Sequence, residues 1–360
     1  MFSEKQDSKF MSRCLELARN GLGWVSPNPM VGAVIVAGGK IIGEGCHRQV
    51  GLPHAEVEAI AVCRQDTHGA TLYVNLEPCN HYGRTPPCTE AIIKAGIARV
   101  VVGMIDPNPL VSGQGINRLR QAGITVDVGV CEAECRAWNK IFIYWITTNE
   151  PYIAGKVAIS PDYKIAASPG TRTQITGIEA QKKVHELRQT YDAILVGVGT
   201  VLADDPKLTV RHSTERPRNP LRIVLDSNLR IPFDSQVLRD NNVLVATTRA
   251  ADPKKCAALE ARGIMLLVTT GDAERVHLPD VVAWCAHHDI TSVLVEGGRQ
   301  VFDAFVVAQL IQYWYVFKGQ RKLGDKGVDA LSDLSPLMSC IKSQSGKKFG
   351  PDTLYECRIE

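Results

Sequence analysis

No apolar run in this sequence approaches the 18 or so residues that cross a bilayer, so a membrane-spanning helix is not expected. Its opening stretch, MFSEKQDSKF, has no apolar h-region and does not read as a secretory signal. No run of five like charges occurs, and the net charge is only +3 over 360 residues. Nucleic acid and membrane surfaces usually select a basic patch, so neither is an expected partner. Internal repeats and low-complexity segments are missing too. The 11 cysteines are odd in number and scattered through a long chain. A disulfide framework is therefore not expected, and a reducing cytoplasm is the simplest compartment. Cys14, Cys63, Cys256 and Cys285 lie in apolar periodic segments and read as small core residues. There is no G-x-G-x-x-G, so the ordinary dinucleotide fingerprint is excluded.

What is present points to two α/β halves. The chain is longer than one core usually grows, and its 45% hydrophobic and 22% charged content is that of a globular protein. Phe10, Cys14, Leu17 and Ala18 share one helical face. MVGAVIVAGGKIIGEG reads as a hairpin around a Gly-Gly turn, AEVEAIAVC as a helix opening just after His54, and ATLYVNLEPC as a strand ending near Pro78. RVVVGMIDP and GITVDVGV read as buried strands, and ECRAWNKIFIYWITT as one amphipathic helix closing the first half. TTNEPYI, 147–153, is the expected linker between domains at 1–148 and 152–360. Beyond it, YDAILVGVGTVLADDP is a strand, a glycine turn and a short helix, and PLRIVLDS, NVLVATT, IMLLV and TSVLVEGG are buried strands. Strands alternating with helices predict a mostly parallel, covered sheet in each half.

The chemistry-bearing residues of the first half are His54, Glu56, Cys79 and Cys88. Thiolate and imidazole are the usual zinc ligands, and a catalytic zinc keeps three protein ligands and one open position. His54, Cys79 and Cys88 supply such a set, with Glu56 free to move protons. A lone His before a helix is more often a cap, and a lone Cys more often core. Here Pro78-Cys79 and Pro87-Cys88 sit in a loop too polar for a core. A closed structural site would need a fourth ligand, for which His81 is the candidate.

His54-Ala55-Glu56 with Pro78-Cys79 resembles the zinc-deaminase signature H-x-E…P-C-x-x-C, but eight residues, not two, separate the cysteines. That spacing, with GRTPPC and with SPNPMVGAVIV at 26–36, is similar to the deaminase half of the bifunctional riboflavin-biosynthesis deaminase–reductase family. HELRQTYDAILVGVGTVLADDPKLTVR, 185–211, and LVEGGRQVFDAF, 294–305, resemble its reductase half. The resemblance implies a cytidine-deaminase-like α/β/α domain followed by a dihydrofolate-reductase-like α/β domain. It implies zinc-dependent removal of ammonia from 2,5-diamino-6-ribosylamino-4(3H)-pyrimidinone 5′-phosphate, then reduction of the ribosyl group to ribityl by NADPH. A homo-oligomer, dimer or tetramer, goes with it.

By motif position, the resemblance puts Asn28 near the pyrimidine ring, and Arg188, Leu208, Arg211 and Glu296 at the reductase substrate. It puts Ala158, Gly197, Gly199, Thr200, Asp204, Ser227, Gly297 and Gly298 at the cofactor, and makes Lys156 and Glu296 catalytic. Glycines after a strand let backbone amides approach phosphate at a helix N-terminus. The chain departs from the pattern in one region. The family reads K-x-A-x-S-x-D-G and then S-Q-W-I-T. Lys156, Ala158, Ser160 and Asp162 match, but Pro161 and Tyr163 replace Leu and Gly, and Arg172, Thr173 and Gln174 replace Ser, Gln and Trp. A tryptophan able to pack on cofactor is thus missing. A second reading follows from it, a deaminase whose reductase half is weakened.

Overall fold

The computed structural model describes residues 4–82, 86–211 and 217–359, and in it the chain folds as two compact units, Met1–Asn149 and Glu150–Glu360. Gly83, Arg84 and Thr85 of the cysteine-bearing motif lie outside the described residues. No described helix is long and apolar enough to cross a membrane.

The first unit runs α1 (Glu4–Ala18), β1 (Gly32–Ala37), β2 (Lys40–Cys46), α2 (Ala55–Ala61), β3 (Thr71–Val74), α3 (Cys88–Lys94), β4 (Arg99–Val102), α4 (Gln114–Gln121), β5 (Thr125–Val128), α5 (Glu132–Trp138) and α6 (Lys140–Thr148). Its sheet has the order β2-β1-β3-β4-β5. The hairpin forms as expected, with Gly38 and Gly39 at φ 57° and 77°, the left-handed region a tight turn needs. The sheet is mixed rather than mostly parallel: β1 pairs antiparallel with β2 and β3, while β3, β4 and β5 run parallel. The expected single closing helix is two. Asn139 interrupts it because its buried side chain accepts from Met30 N (2.9 Å) and donates to Met30 O (3.1 Å), serving the backbone just ahead of β1.

The second unit continues with β6 (Tyr152–Ile159), β7 (Lys164–Ala166), α7 (Ile178–Thr190), β8 (Ala193–Gly197), α8 (Val198–Asp204), β9 (Leu221–Leu225), β10 (Val243–Thr247), α9 (Pro253–Glu260), β11 (Met265–Val268), α10 (Leu278–His287), β12 (Ser292–Val295), α11 (Arg299–Val307), β13 (Tyr313–Lys318), β14 (Val328–Asp329), α12 (Ser335–Ser343), β15 (Lys347–Phe349) and β16 (Asp352–Arg358). Nine strands form one sheet in the order β11-β10-β9-β8-β12-β6-β13-β16-β15. Alternate residues of β8 enter two apolar clusters, Ala193 and Leu195 one, Ile194 and Val196 the other. A strand covered on both faces must be apolar throughout, which is why its sequence is an unbroken run. β8 leads outward to β9, β10 and β11, whereas β12 returns beside β8 and leads to β13 on the other side. The chain direction therefore switches between β8 and β12, where open α/β sheets hold their ligands.

Two features were not foreseen. Cys340 of α12 and Cys357 of β16 form a disulfide, closing a separation of 17 residues; nine cysteines remain free, so this single bridge is not a disulfide framework. Packing of α12 on β16 brings them together, which spacing alone does not reveal. Of the four cysteines read as core, Cys14 and Cys285 are buried, while Cys63 and Cys256 are half-buried. The second feature is Tyr163, which stands where the family pattern has Gly. Its φ is 61°, so the turn after β6 requires the left-handed conformation. The ring packs against the core and lies 5.4 Å beneath Lys318 Nζ, which offsets part of the strain. Tyr163→Ala loses that packing and keeps the strain, so Tyr163→Gly is expected to be more stable than Tyr163→Ala by about 1 kcal/mol. Urea unfolding of the two variants checks it, and equal midpoints would remove the strain argument.

Candidate active sites

The first site is assembled at the N-termini of two short helices. His54 has extended backbone (φ −73°, ψ 162°) and precedes α2; Cys88 is the first residue of α3; Cys79 lies in the loop after β3. The Nδ1 atom of His54 lies 3.2 Å from Cys88 Sγ and 3.6 Å from Cys79 Sγ, and all three ligand atoms fall within 4.8 Å of one another. The Cys88 backbone N–H also donates to Cys79 Sγ at 3.3 Å. Hydrogen bonds from the Cys88 thiol, His54 and this amide pull Cys79 well below the ordinary thiol range, against its burial. Two sulfurs and one imidazole nitrogen are a zinc donor set, and three donors leave a position open. His81 is exposed and is not among the converging donors. Glu56, in the first turn of α2, is buried at 3% exposure, and that burial pushes its carboxyl up to about 7. It is placed to carry a proton at neutral pH.

Asn28 lies in the loop ahead of β1, with its Nδ2 3.2 Å from His47 Nε2. His47 is a residue that sequence reasoning missed. Its Nδ1 lies 3.1 Å from the Pro53 carbonyl, so Nδ1 carries the hydrogen and Nε2 accepts from Asn28. Burial keeps His47 neutral by lowering its pKa. The Asn28 amide is thereby oriented with its oxygen left to accept from a ligand. Glu77 was missed as well. Its buried carboxylate accepts from the backbone N–H groups of Asp106 (3.1 Å), Gly113 (2.9 Å), Gly115 (2.9 Å) and Ile116 (3.2 Å), which ties the 106–116 segment to the loop between β3 and Cys79. No short-range signal marks either residue, because each role depends on partners far along the chain.

The second site lies at the ends of β6, β8 and β12. The parallel register pairs Val295 with Gly155, so the next residues, Glu296 and Lys156, meet: Lys156 Nζ to Glu296 Oε2 is 3.3 Å. Arg188 of α7 grips the same carboxylate in a fork, Nε to Oε1 at 2.7 Å and Nη2 to Oε2 at 3.0 Å. Burial opposes the Glu296 charge, but Arg188 and Lys156 together hold its pKa down at about 2. Ala158 follows Lys156 by two residues and is half-buried on the same face of β6.

Arg188, Leu208, Arg211 and Asp204 line one cleft of about 270 Å³, together with Arg172, Asp205, Pro206, Lys207 and Gln236. The loop here is strained: Asp205 and Leu208 have φ of 40° and 51°. His185, a third residue that sequence reasoning missed, fastens it, its Nδ1 3.1 Å from Thr209 O and 3.2 Å from Arg211 N. The glycines divide into two kinds. A Cβ on Gly197 or Gly297 would strike Val301 of α11 at 2.7 or 2.5 Å, so these two permit packing. Gly199 and Gly298 face open space at the starts of α8 and α11, where backbone N–H groups are unpaired, and Thr200 follows Gly199 half-buried. Ser227, just past β9, has its carbonyl held by Thr247 and Thr248 hydroxyls at 3.0 and 2.9 Å. Two adjacent helix N-termini with open glycines suit the phosphates of a dinucleotide.

Comparison with known proteins follows this division. Residues 4–104 match the model of the cytidine and deoxycytidylate deaminase zinc-binding region, and residues 151–355 that of the RibD C-terminal domain. The chain is 38% identical to the riboflavin biosynthesis protein RibD of Escherichia coli, covering 96% of this chain and 98% of that protein. It is similar in structure to Acinetobacter baumannii RibD, form 1, with a TM-score of 0.87, 34% identity and 99% of each chain covered. A diaminohydroxyphosphoribosylaminopyrimidine deaminase/5-amino-6-(5-phosphoribosylamino)uracil reductase from Thermotoga maritima gives a TM-score of 0.84 at 37% identity, with 99% of each chain covered.

Proposed function

Because the chain belongs to the RibD family, whose members unite a deaminase and a reductase of riboflavin biosynthesis, we propose a specific division of labour between its two sites. The protein is a bifunctional enzyme, a zinc-family deaminase and a reductase. In our reading the first unit removes ammonia from 2,5-diamino-6-ribosylamino-4(3H)-pyrimidinone 5′-phosphate, and the second reduces the ribosyl chain of the product to ribityl. The observation that carries the first assignment is the convergence of His54 Nδ1 and the two sulfurs within 4.8 Å, with Glu56 buried next to them. His54, Cys79 and Cys88 would hold the zinc, which would supply Lewis acidity to a water. Glu56 takes a proton from that water and returns it to the leaving nitrogen. Asn28, held by His47, accepts from the pyrimidine edge.

At the second site a bound NADPH would supply the hydride. Lys156 donates a proton or a hydrogen bond to the sugar as it opens, and Glu296, itself gripped by Arg188, holds the ammonium in place. Gly199 and Gly298 leave room for the cofactor phosphates, and Ala158 of β6, Thr200 and Asp204 of α8 and Ser227 after β9 are assigned to the cofactor with them. The reductase model matches through residue 355, which favours the two-activity reading over a deaminase alone. The choice of NADPH over NADH, a cytoplasmic location and a homo-oligomer belong to this proposal. The apolar residues Ile141 and Trp145 of α6, neither of them fully buried, suit contact with a second copy, which light scattering tests.

The deciding experiment gives purified protein the diaminopyrimidinone phosphate, with and without NADPH, and follows ammonia and products. Ammonia without NADPH and a ribityl product with it are expected; absence of both removes the proposal. Elemental analysis is expected to find about one zinc per chain and little in Cys88→Ser, since two remaining ligands hold a catalytic zinc poorly. Undiminished zinc in that variant would take Cys88 out of the site.

A further inference from the structure

The cleft of the second unit carries four cations, Arg172, Arg188, Lys207 and Arg211, against two carboxylates, Asp204 and Asp205. These charges are not equally free. Arg188 is committed to Glu296, and Asp205 is tied by Gln236, whose N and Nε2 donate to its carboxylate at 2.8 and 3.1 Å. Among the described residues, the side chains of Arg172, Lys207 and Arg211 make no hydrogen bond or ion pair. All three are exposed. Arg172 lies close enough to Asp204 to favour its ionised form against the burial that disfavours it.

The segment that presents Arg172 is ordered by its own contacts. Thr171 Oγ1 donates to Ser168 O at 2.8 Å, and Thr173 Oγ1 accepts from Ala167 N at 2.9 Å. Arg172 therefore projects from a pinned turn between β7 and α7. At this position the motif read from the sequence has serine, which brings no charge. With Arg188 paired to Glu296, Arg172, Lys207 and Arg211 outnumber Asp204 and Asp205 by one; that excess fits an anion, and guanidinium forks match phosphate geometry.

Two phosphates are available in the reaction, the ribotide's and the cofactor's. The cleft contains Arg188, Leu208 and Arg211; of the residues assigned to the cofactor it holds Asp204, but neither Gly199 nor Gly298, the open glycines at the helix N-termini. Resting on the reductase reading above, we propose that Arg172 is a specificity-determining residue of this chain. It clamps the 5′-phosphate of the ribotide, with Lys207 and Arg211, and so selects the phosphorylated over the dephosphorylated substrate.

The test compares wild type, Arg172→Ser and Arg172→Lys, with the thermal unfolding of each as a folding control. Steady-state rates are measured with the deaminated ribotide and with its dephosphorylated form, and NADPH affinity is measured separately by fluorescence. In Arg172→Ser, KM for the ribotide is expected to rise about tenfold with kcat little changed, as for loss of one hydrogen-bonded charge. The dephosphorylated compound should show no such difference, NADPH affinity should hold, and Arg172→Lys should fall between. Equal losses with both compounds, an unchanged KM, or a loss confined to NADPH would each overturn the proposal. Calorimetry with ribose 5-phosphate as probe gives a separate reading. If wild type fails to oxidise NADPH, the reductase reading falls, and weaker ribose 5-phosphate binding by Arg172→Ser still supports the clamp. Equal binding by both proteins would sink it.

Discussion

Glu56→Gln is expected to retain zinc and to lose deamination by roughly two to four orders of magnitude, the range of general acid–base effects. Glutamine keeps the size of the side chain and cannot carry the proton. Glu56 sits in the first turn of α2, two residues after His54, and its 3% exposure denies bulk water a route to replace it. Burial holds its carboxyl at about 7, where the acid and base forms are both populated at neutral pH. A group that must first accept and then return a proton works best there. The measurement is zinc content and ammonia release on the same preparation. Near-normal turnover in a zinc-loaded Gln variant would falsify the role; loss of zinc with activity would make Glu56 a ligand or a structural support.

The second large effect is expected from Lys156→Ala and Glu296→Gln. Each should abolish NADPH oxidation with the deaminated substrate and leave ammonia release from the first substrate intact. Glu296 pairs with both Lys156 and Arg188 where all three are largely shielded from water, with 6% of its own side chain exposed. Removing its charge leaves two cations facing each other, and Lys156 then has no reason to hold its position. A merely structural ion pair would show itself differently, as reduced stability with normal turnover in the protein that folds. Glu296 also makes a stability prediction. Its folded pKa of about 2 lies below the usual 4.5, so it stabilises the fold fully above pH 4.5 and loses that contribution as pH falls toward 2. The contribution is on the order of 3 kcal/mol. The stability gap between wild type and Glu296→Gln, followed by denaturant titration, should narrow over that window. A gap constant with pH would show that the carboxylate charge is not its source.

Much of the first site was legible in the residues because its signal is short in range and rare in type. His54 stands just ahead of α2 and Glu56 in its first turn, and Cys79 and Cys88 each follow a proline, so motif and chemistry could be read together. The glycines were less legible. All four read alike as phosphate-approach positions, yet Gly197 and Gly297 are held by Val301, which a one-dimensional reading cannot see. The closing helix of the first unit read as continuous because its apolar pattern is continuous, but Asn139 serves Met30 and breaks it. β13, β15 and β16 went unread, and with them the meeting of Cys340 and Cys357.

The sequence by itself determined the composition of the sites and the alternation of apolar runs that builds two covered sheets. Residue type, spacing and burial pattern are local properties, and each is written in the order of the amino acids. Tertiary structure alone decided which remote groups share a charge or a hydrogen. The register of β6 against β12 put Glu296 beside Lys156; Pro53 set the tautomer of His47 and so the amide of Asn28; Glu77 collected four backbone donors from 29 to 39 residues away. It also turned Arg172 from a departure in a motif into a free cation on the wall of a cleft. Such pairings depend on strand register and helix packing, which sum over the whole core, so no single stretch of sequence contains them.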